Sequence, residues 1–297
     1  MGIGGGNNRR VTRKDVARLI VAQWSQGRQN QKRRFLPTST WGFNVKKWNV
    51  CAAVVACGSM LTATSGTMGA AELRLLAGGA MANVWAEIKP QFESVSGHKL
   101  EIFFGTTPNL IKEATSSKPF DVGVVPVEVM QDAAARAKFV AGPTTDIARV
   151  GLGVAVRAGA PKPEIGTVDA FKSALLKAKS ISSIPESATG YSIARVFDRL
   201  GVSEQMKPKM KAQPNPAAVV SVVAKGEVEL GLFLINVLTA PGLDVVGPFP
   251  SEVQETVVFT AAVASDTKDA TAAKALIEFL RTPAAVTIIK SRGMNPG

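Results

Sequence analysis

Hydroxyls, backbone amides and glycines carry most of the chemistry this sequence offers. They gather in three short stretches: Ala77-Gly78-Gly79-Ala80, Gly105-Thr106-Thr107-Pro108-Asn109 and Ser187-Ala188-Thr189-Gly190-Tyr191. Each follows an apolar run and precedes residues with helical spacing, so each reads as a strand-to-helix turn. The first N–H groups of a helix have no intrahelical partner, and together with the helix dipole they suit an anion. A tight turn without a ligand explains one such junction, and hydroxyls such as those of Thr106 and Thr107 commonly cap the helix itself. Three junctions of this kind in one chain favour a shared anion site.

The remaining inventory narrows the alternatives. Beyond residue 71 there is one histidine (His98), one tyrosine (Tyr191), one tryptophan (Trp85) and no cysteine. A Ser-His-Asp or Cys-His centre, a disulfide framework and a multi-histidine or thiolate metal site find almost nothing to build from. No metal and no cofactor are expected. Neither G-x-x-x-x-G-K-[ST] nor G-x-G-x-x-G occurs in the body, which argues against nucleotide chemistry. His98 follows Gly97 in what reads as a solvated loop between a helix and a strand.

The formal charge of +12 suggests a nucleic-acid binder until it is located. Residues 1–71 hold eleven Lys/Arg and one Asp, a net +10, whereas 72–297 hold 24 against 22, a net +2. The basic character belongs to a leader, so no nucleic-acid partner is expected. Within it, Lys46-Lys47 precedes an apolar run from Val50 to Leu61 and then small and polar residues to Ala71. That is the layout of a secretory signal peptide over 46–71, too short to read comfortably as a transmembrane helix. Cleavage after Ala70 or Ala71 would release the body for the periplasm. Val54-Val-Ala-Cys57 also resembles a lipoprotein box, which would instead anchor the chain through Cys57.

The elements that must position the three turns follow an alternating pattern. Leu73–Leu76 is a short buried strand, and Met81, Val84, Trp85, Ile88 and Phe92 then mark one face of a helix. Lys99–Phe104 and Phe120–Val125 are further strands, the second followed by a helix from about Val127 to Ala137. Arg149–Arg157 is a long glycine-containing strand. A new series begins after Ala158-Gly-Ala-Pro-Lys-Pro163. It has a helix capped by Thr167, a strand Ser180–Ile184 and a helix stopped at Gly201. Next come a helix near Pro216–Lys225, a strand Leu230–Ile235 and an edge segment Asp244–Pro250. Glu255–Val263 is the last long strand, and two helices follow, the second opening at Thr282-Pro283. The alternation predicts an α/β fold with parallel sheets covered by helices on both faces. Ligands on such sheets lie at the carboxyl ends of strands, where these turns fall.

The order of these elements resembles the molybdate-binding branch of periplasmic solute-binding proteins, the receptors of ABC importers. Ala77-Gly-Gly-Ala-Met-Ala-Asn-Val, Phe104-Gly-Thr-Thr-Pro-Asn-Leu, Phe120-Asp-Val-Gly-Val, Ala188-Thr-Gly-Tyr, Gly226-Glu-Val-Glu-Leu-Gly and Phe279-Leu-Arg-Thr-Pro-Ala-Ala carry the resemblance over 72–297. It implies a two-lobed periplasmic-binding-protein fold of type II character: lobe one at 72–153 plus 254–297, lobe two at 154–253, and the ligand in the cleft between them. It further implies a monomer that traps a small anion by hinge closure and passes it to a permease in the inner membrane. Gly79, Ala80, Thr106, Thr107, Ser187, Thr189, Gly190, Tyr191 and Asn236 are the ligand-binding residues this implies, with Arg195 a further contact. The chain departs from the family pattern where Ala80 occupies a serine position, Leu234 a tyrosine position and Asn236-Val237 a polar pair. Fewer side-chain donors make a small organic carboxylate as plausible as a molybdate-like oxyanion. The alternative is a small-carboxylate isomerase on the same scaffold, similar to aconitate isomerase, with Tyr191, Glu186 or Lys112 as the base.

Overall fold

A computed structural model describes residues 70–297, so the basic extension, nearly all of the signal-peptide stretch and Cys57 lie outside the described residues. From Glu72 the chain runs through β1 (Glu72–Gly78), α1 (Ala82–Ser96), β2 (Lys99–Gly105), α2 (Thr107–Ala114), β3 (Val122–Pro126), α3 (Val127–Gln131), α4 (Ala133–Arg136) and β4 (Thr145–Arg157). The second series holds α5 (Val168–Lys177), β5 (Ile181–Ser183), α6 (Ala188–Leu200), α7 (Ser203–Met206), β6 (Met210–Ala212), α8 (Pro216–Ala224), β7 (Leu230–Leu234), α9 (Ile235–Leu238) and β8 (Leu243–Pro248). β9 (Thr256–Val263), α10 (Ala270–Leu280), α11 (Pro283–Ser291) and β10 (Asn295–Pro296) complete it.

The sequence pattern explains most of these elements. Met81 just before α1 and Val84, Trp85, Ile88 and Phe92 on it are all at most 1% exposed, as their helical spacing requires. Gly97 at φ 75° ends α1 and Gly201 at φ 66° ends α6, each in the left-handed conformation that a Cβ disfavours. The helix expected from Val127 to Ala137 is instead two. Asp132 is extended and its side chain accepts the Ala135 N–H at 2.8 Å, so the chain stops α3 in order to cap α4. His98 also departs from expectation. It is buried, its Nδ1 accepts the Ala71 N–H at 3.0 Å, and its ring stacks on Phe92.

The strands follow the order β2-β1-β3-β9-β4-β7-β5-β6, with β8 and β10 also paired to β4. Parallel pairing is confined to two triplets, β2-β1-β3 and β7-β5-β6, rather than running through the sheet. Between them β9 is antiparallel to both β3 and β4, and β4 is antiparallel to β7. β4 serves both halves. Its residues up to Gly151 pair with β9, whereas those from Leu152 onward pair with β7 and β8. At the changeover the Gln254 carboxamide takes the role of a strand residue: its Oε1 accepts the Leu152 N–H and its Nε2 donates to the Leu152 carbonyl, both at 2.9 Å. One half of the sheet thus holds β1–β3 and β9, the other β5–β8, and the carboxyl ends of both parallel triplets meet at one gap.

Candidate functional site

That gap holds a small cavity of about 30 Å³. Gly78, Gly105 and Pro126 bring to it the ends of β1, β2 and β3, and Ile184 and Leu234 the ends of β5 and β7. Three glycine- or hydroxyl-rich turns therefore open into one space, where the carboxyl-end rule puts a ligand. Gly78 is required by packing: a Cβ there would stand 2.4 Å from Cε1 of Phe259, whose ring forms part of the wall.

Six of the nine residues expected to bind a ligand line this cavity: Gly79, Ala80, Thr106, Thr107, Ser187 and Thr189. Their hydroxyls are not equivalent. Ser187 donates to the Ile184 carbonyl at 2.7 Å and accepts the Gly190 N–H at 3.1 Å, so it is committed to capping α6. Thr106 stands at the N-cap of α2 yet makes no capping hydrogen bond from its side chain. Thr107 Oγ1 accepts the Ala188 N–H at 2.9 Å, a bond between the two halves of the sheet that leaves its own proton free to donate. Thr189 is 3% exposed and borders the cavity. Together with the N–H groups of Thr107 and Asn109 at the start of α2 and of Thr189 in α6, these hydroxyls make a donor-rich lining.

Three expected residues lie off the wall. Gly190 is packed against backbone: a Cβ there would meet the Ile184 carbonyl oxygen at 2.2 Å and that of Pro185 at 2.3 Å. Tyr191 is 44% exposed, because the next position on α6 turns away from the cavity. Asn236 is buried behind the wall, where its Nδ2 donates to the Ala80 carbonyl at 2.8 Å, and its Oδ1 has no partner among the described residues. Arg195 is engaged with Glu255 at 2.6 Å, which also pairs with Arg199. Sequence reasoning missed Pro126, Pro216, Phe233, Val257 and Phe259, whose apolar types give no functional signal and whose positions come only from tertiary packing.

Among the described residues, no Asp, Glu, Lys, Arg, His or Tyr lines the cavity. The site therefore presents hydroxyl and amide donors without a formal counter-charge and without a side chain that exchanges a proton near neutral pH.

A family of this architecture is matched directly. A model of the bacterial extracellular solute-binding proteins fits residues 73–295, and the chain belongs to that family. Its fold is that of the molybdate-binding branch of periplasmic binding proteins. The solved periplasmic molybdate-binding protein of Azotobacter vinelandii superposes with a TM-score of 0.62 at 19% identity, covering 75% of this chain and 98% of that one. Among characterised relatives, aconitate isomerase from a Pseudomonas species is 31% identical over 252 residues, covering 82% of this chain and 95% of the relative. Molybdate-binding protein ModA of Azotobacter vinelandii is 27% identical over 247 residues, covering 81% and 95%.

Proposed function

We propose that the chain is an exported solute-binding protein of an ABC importer that captures a small anion in the periplasm and delivers it to an inner-membrane permease. The anion is a molybdate-like oxyanion or a small organic carboxylate. It is held between lobe one (72–153 plus 254–297) and lobe two (154–253), which close about the crossing strands. The observation that carries this reading is the cavity wall: hydroxyls of Thr106, Thr107 and Thr189 beside helix starts, with no charged side chain. Such a lining satisfies an anion through hydrogen bonds while leaving no buried counter-ion unpaired when the site empties. A monomer suffices for this task.

The relationship to aconitate isomerase supports a second reading, an isomerase of a small unsaturated carboxylate. Moving an allylic proton needs a general base within reach of the substrate. Tyr191, Glu186 and Lys112 are all exposed and off the cavity wall, which favours capture over turnover.

The test is thermal unfolding of the full chain against molybdate, tungstate, sulfate, phosphate and di- and tricarboxylates. A ligand at a hundredfold excess over Kd stabilises by about 2.7 kcal/mol. The reading expects at least one such shift and fails if none of the anions gives one. Incubation with cis-aconitate, followed by NMR for the trans isomer, separates the two readings: accumulation of product establishes the isomerase.

A further inference from the structure

We infer that the solute is an organic carboxylate with an extended carbon body, not a compact inorganic oxyanion. This rests on the anion-binding reading above and narrows it. The starting point is a second, larger space of about 710 Å³ that adjoins the first. Gly79, Ala80, Gly105, Thr106 and Pro216 border both. The two spaces therefore meet at a waist formed by two glycines, a proline and their neighbours. A Cβ built on Gly79 would stand 3.5 Å from Cγ and Cδ of Pro216 and 3.6 Å from the Gly105 carbonyl oxygen. Those are ordinary contact distances, so a methyl group at 79 would fit the fold and fill the waist. Its absence keeps the passage open.

The outer chamber has its own chemistry. Phe104 is 41% exposed, one of few large apolar side chains left facing solvent among the described residues, and it forms part of the chamber wall with Val220 and Val237. Asn83 near the start of α1 and Asn109 near the start of α2 add carboxamides that both donate and accept. No charged side chain among the described residues lines this chamber either. A compact tetrahedral oxyanion seated at the helix starts would leave the exposed ring and the amides unused. A carboxylate head in the inner cavity, with its carbon chain through the waist, covers Phe104 and brings its remaining oxygens to Asn83 and Asn109. An apolar wall with a few convergent polar groups is the usual make-up of an organic-ligand site.

The test is titration calorimetry of the full chain with molybdate, sulfate, adipate and trans-aconitate. At least one carboxylate is expected to bind more tightly than either oxyanion. Gly79→Ala should weaken that carboxylate by about tenfold or more, the usual effect of one methyl group in a shaped pocket. Phe104→Ala, at a position exposed enough to spare the fold, should also weaken the carboxylate selectively. Tighter binding of an oxyanion than of both carboxylates, or a Gly79→Ala protein with undiminished carboxylate affinity, overturns the inference and leaves the anion-binding reading standing. If none of the four binds the parent protein, the inference falls, and the anion-binding reading falls with it only if the wider anion panel also gives no shift.

Discussion

Replacing Thr107 by valine removes one oxygen while keeping the shape of the side chain. That oxygen accepts the Ala188 N–H at 2.9 Å, in a bond joining residues 81 apart, and both residues are buried. Ala188 opens α6, so its N–H has no intrahelical carbonyl to fall back on. An unpaired buried donor costs about 1–3 kcal/mol. The adjoining cavity can admit water to the orphaned N–H, which puts the expectation at the lower end, about 1–2 kcal/mol. In a folded unit of this size each kcal/mol lowers Tm by about 2–4 °C, so the valine protein should melt about 2–8 °C lower. Thr107→Ser keeps the oxygen and deletes one methyl group, at a cost of about 1 kcal/mol or less. Under the proposed function the valine variant also loses a hydroxyl donor to the ligand, and affinity should fall by about tenfold or more, with serine restoring most of it. Differential scanning fluorimetry and calorimetry on the three proteins provide both numbers. A valine variant melting within about 1 °C of the parent, or above the serine variant, would refute the assignment of this bond as a tie between the halves.

Gly190→Ala forces a Cβ to within 2.2 Å of the Ile184 carbonyl oxygen, and since that neighbour is backbone the α6 start must shift. A loss of more than about 3 kcal/mol, or of soluble protein altogether, is expected in melting experiments. Glu255→Gln removes the carboxylate shared by Arg195 and Arg199, whose side chains are about half exposed, so the loss should not exceed about 1 kcal/mol and should shrink in about 1 M salt. Lowering the pH should cost stability at Glu93. The Leu100 N–H, with a smaller contribution from Lys99, holds its carboxyl below the usual range, so its stabilisation is present at neutral pH and is lost as pH falls through that lowered value. Ligand affinity, by contrast, should stay flat from about pH 6 to 9, because no titratable side chain lines either space, and a bell-shaped profile would point to a missed acid or base.

The glycine and hydroxyl turns were legible because their residue types have few other uses at strand-to-helix junctions. Gly79, Thr106, Thr107 and Thr189 all face one space, and α1 buries the face its spacing indicates. What spacing cannot supply is direction around a helix start. Thr189 faces the cavity and Tyr191, two residues on, faces solvent, since two positions span about 200° of an α-helix. Nor can it say which hydroxyl is already spent: Ser187 and Thr106 both sit at N-caps, yet only Ser187 caps. The antiparallel centre of the sheet was also hidden. Alternating strands and helices indicate parallel pairing, but β9 returns from the far end of the chain to lie between β3 and β4, a long-range pairing without a local signature. His98 reads as a loop residue because its acceptor role depends on Ala71, 27 positions earlier.

The position of β9 sets the order in which this chain can finish folding. β3 pairs with it, Val122 opposite Val263, and β4 pairs with its other edge, so the sides of β3 and of β4 that face it have no neighbour until almost the whole sequence has been made. The strands β1, β2 and β3, and later β5, β6 and β7, lie close together in sequence and can pair among themselves before β9 is made. A growing chain can thus pair both triplets internally before β9 exists, while the outer edge of β3 and the first half of β4 wait unpaired. Long-range closures of this kind are slow, and the exposed edges they leave are prone to wrong pairing. Synthesis past Val263 is the event that ends the vulnerable interval, so the chain remains incompletely folded, and still threadable, for most of the time it takes to be made.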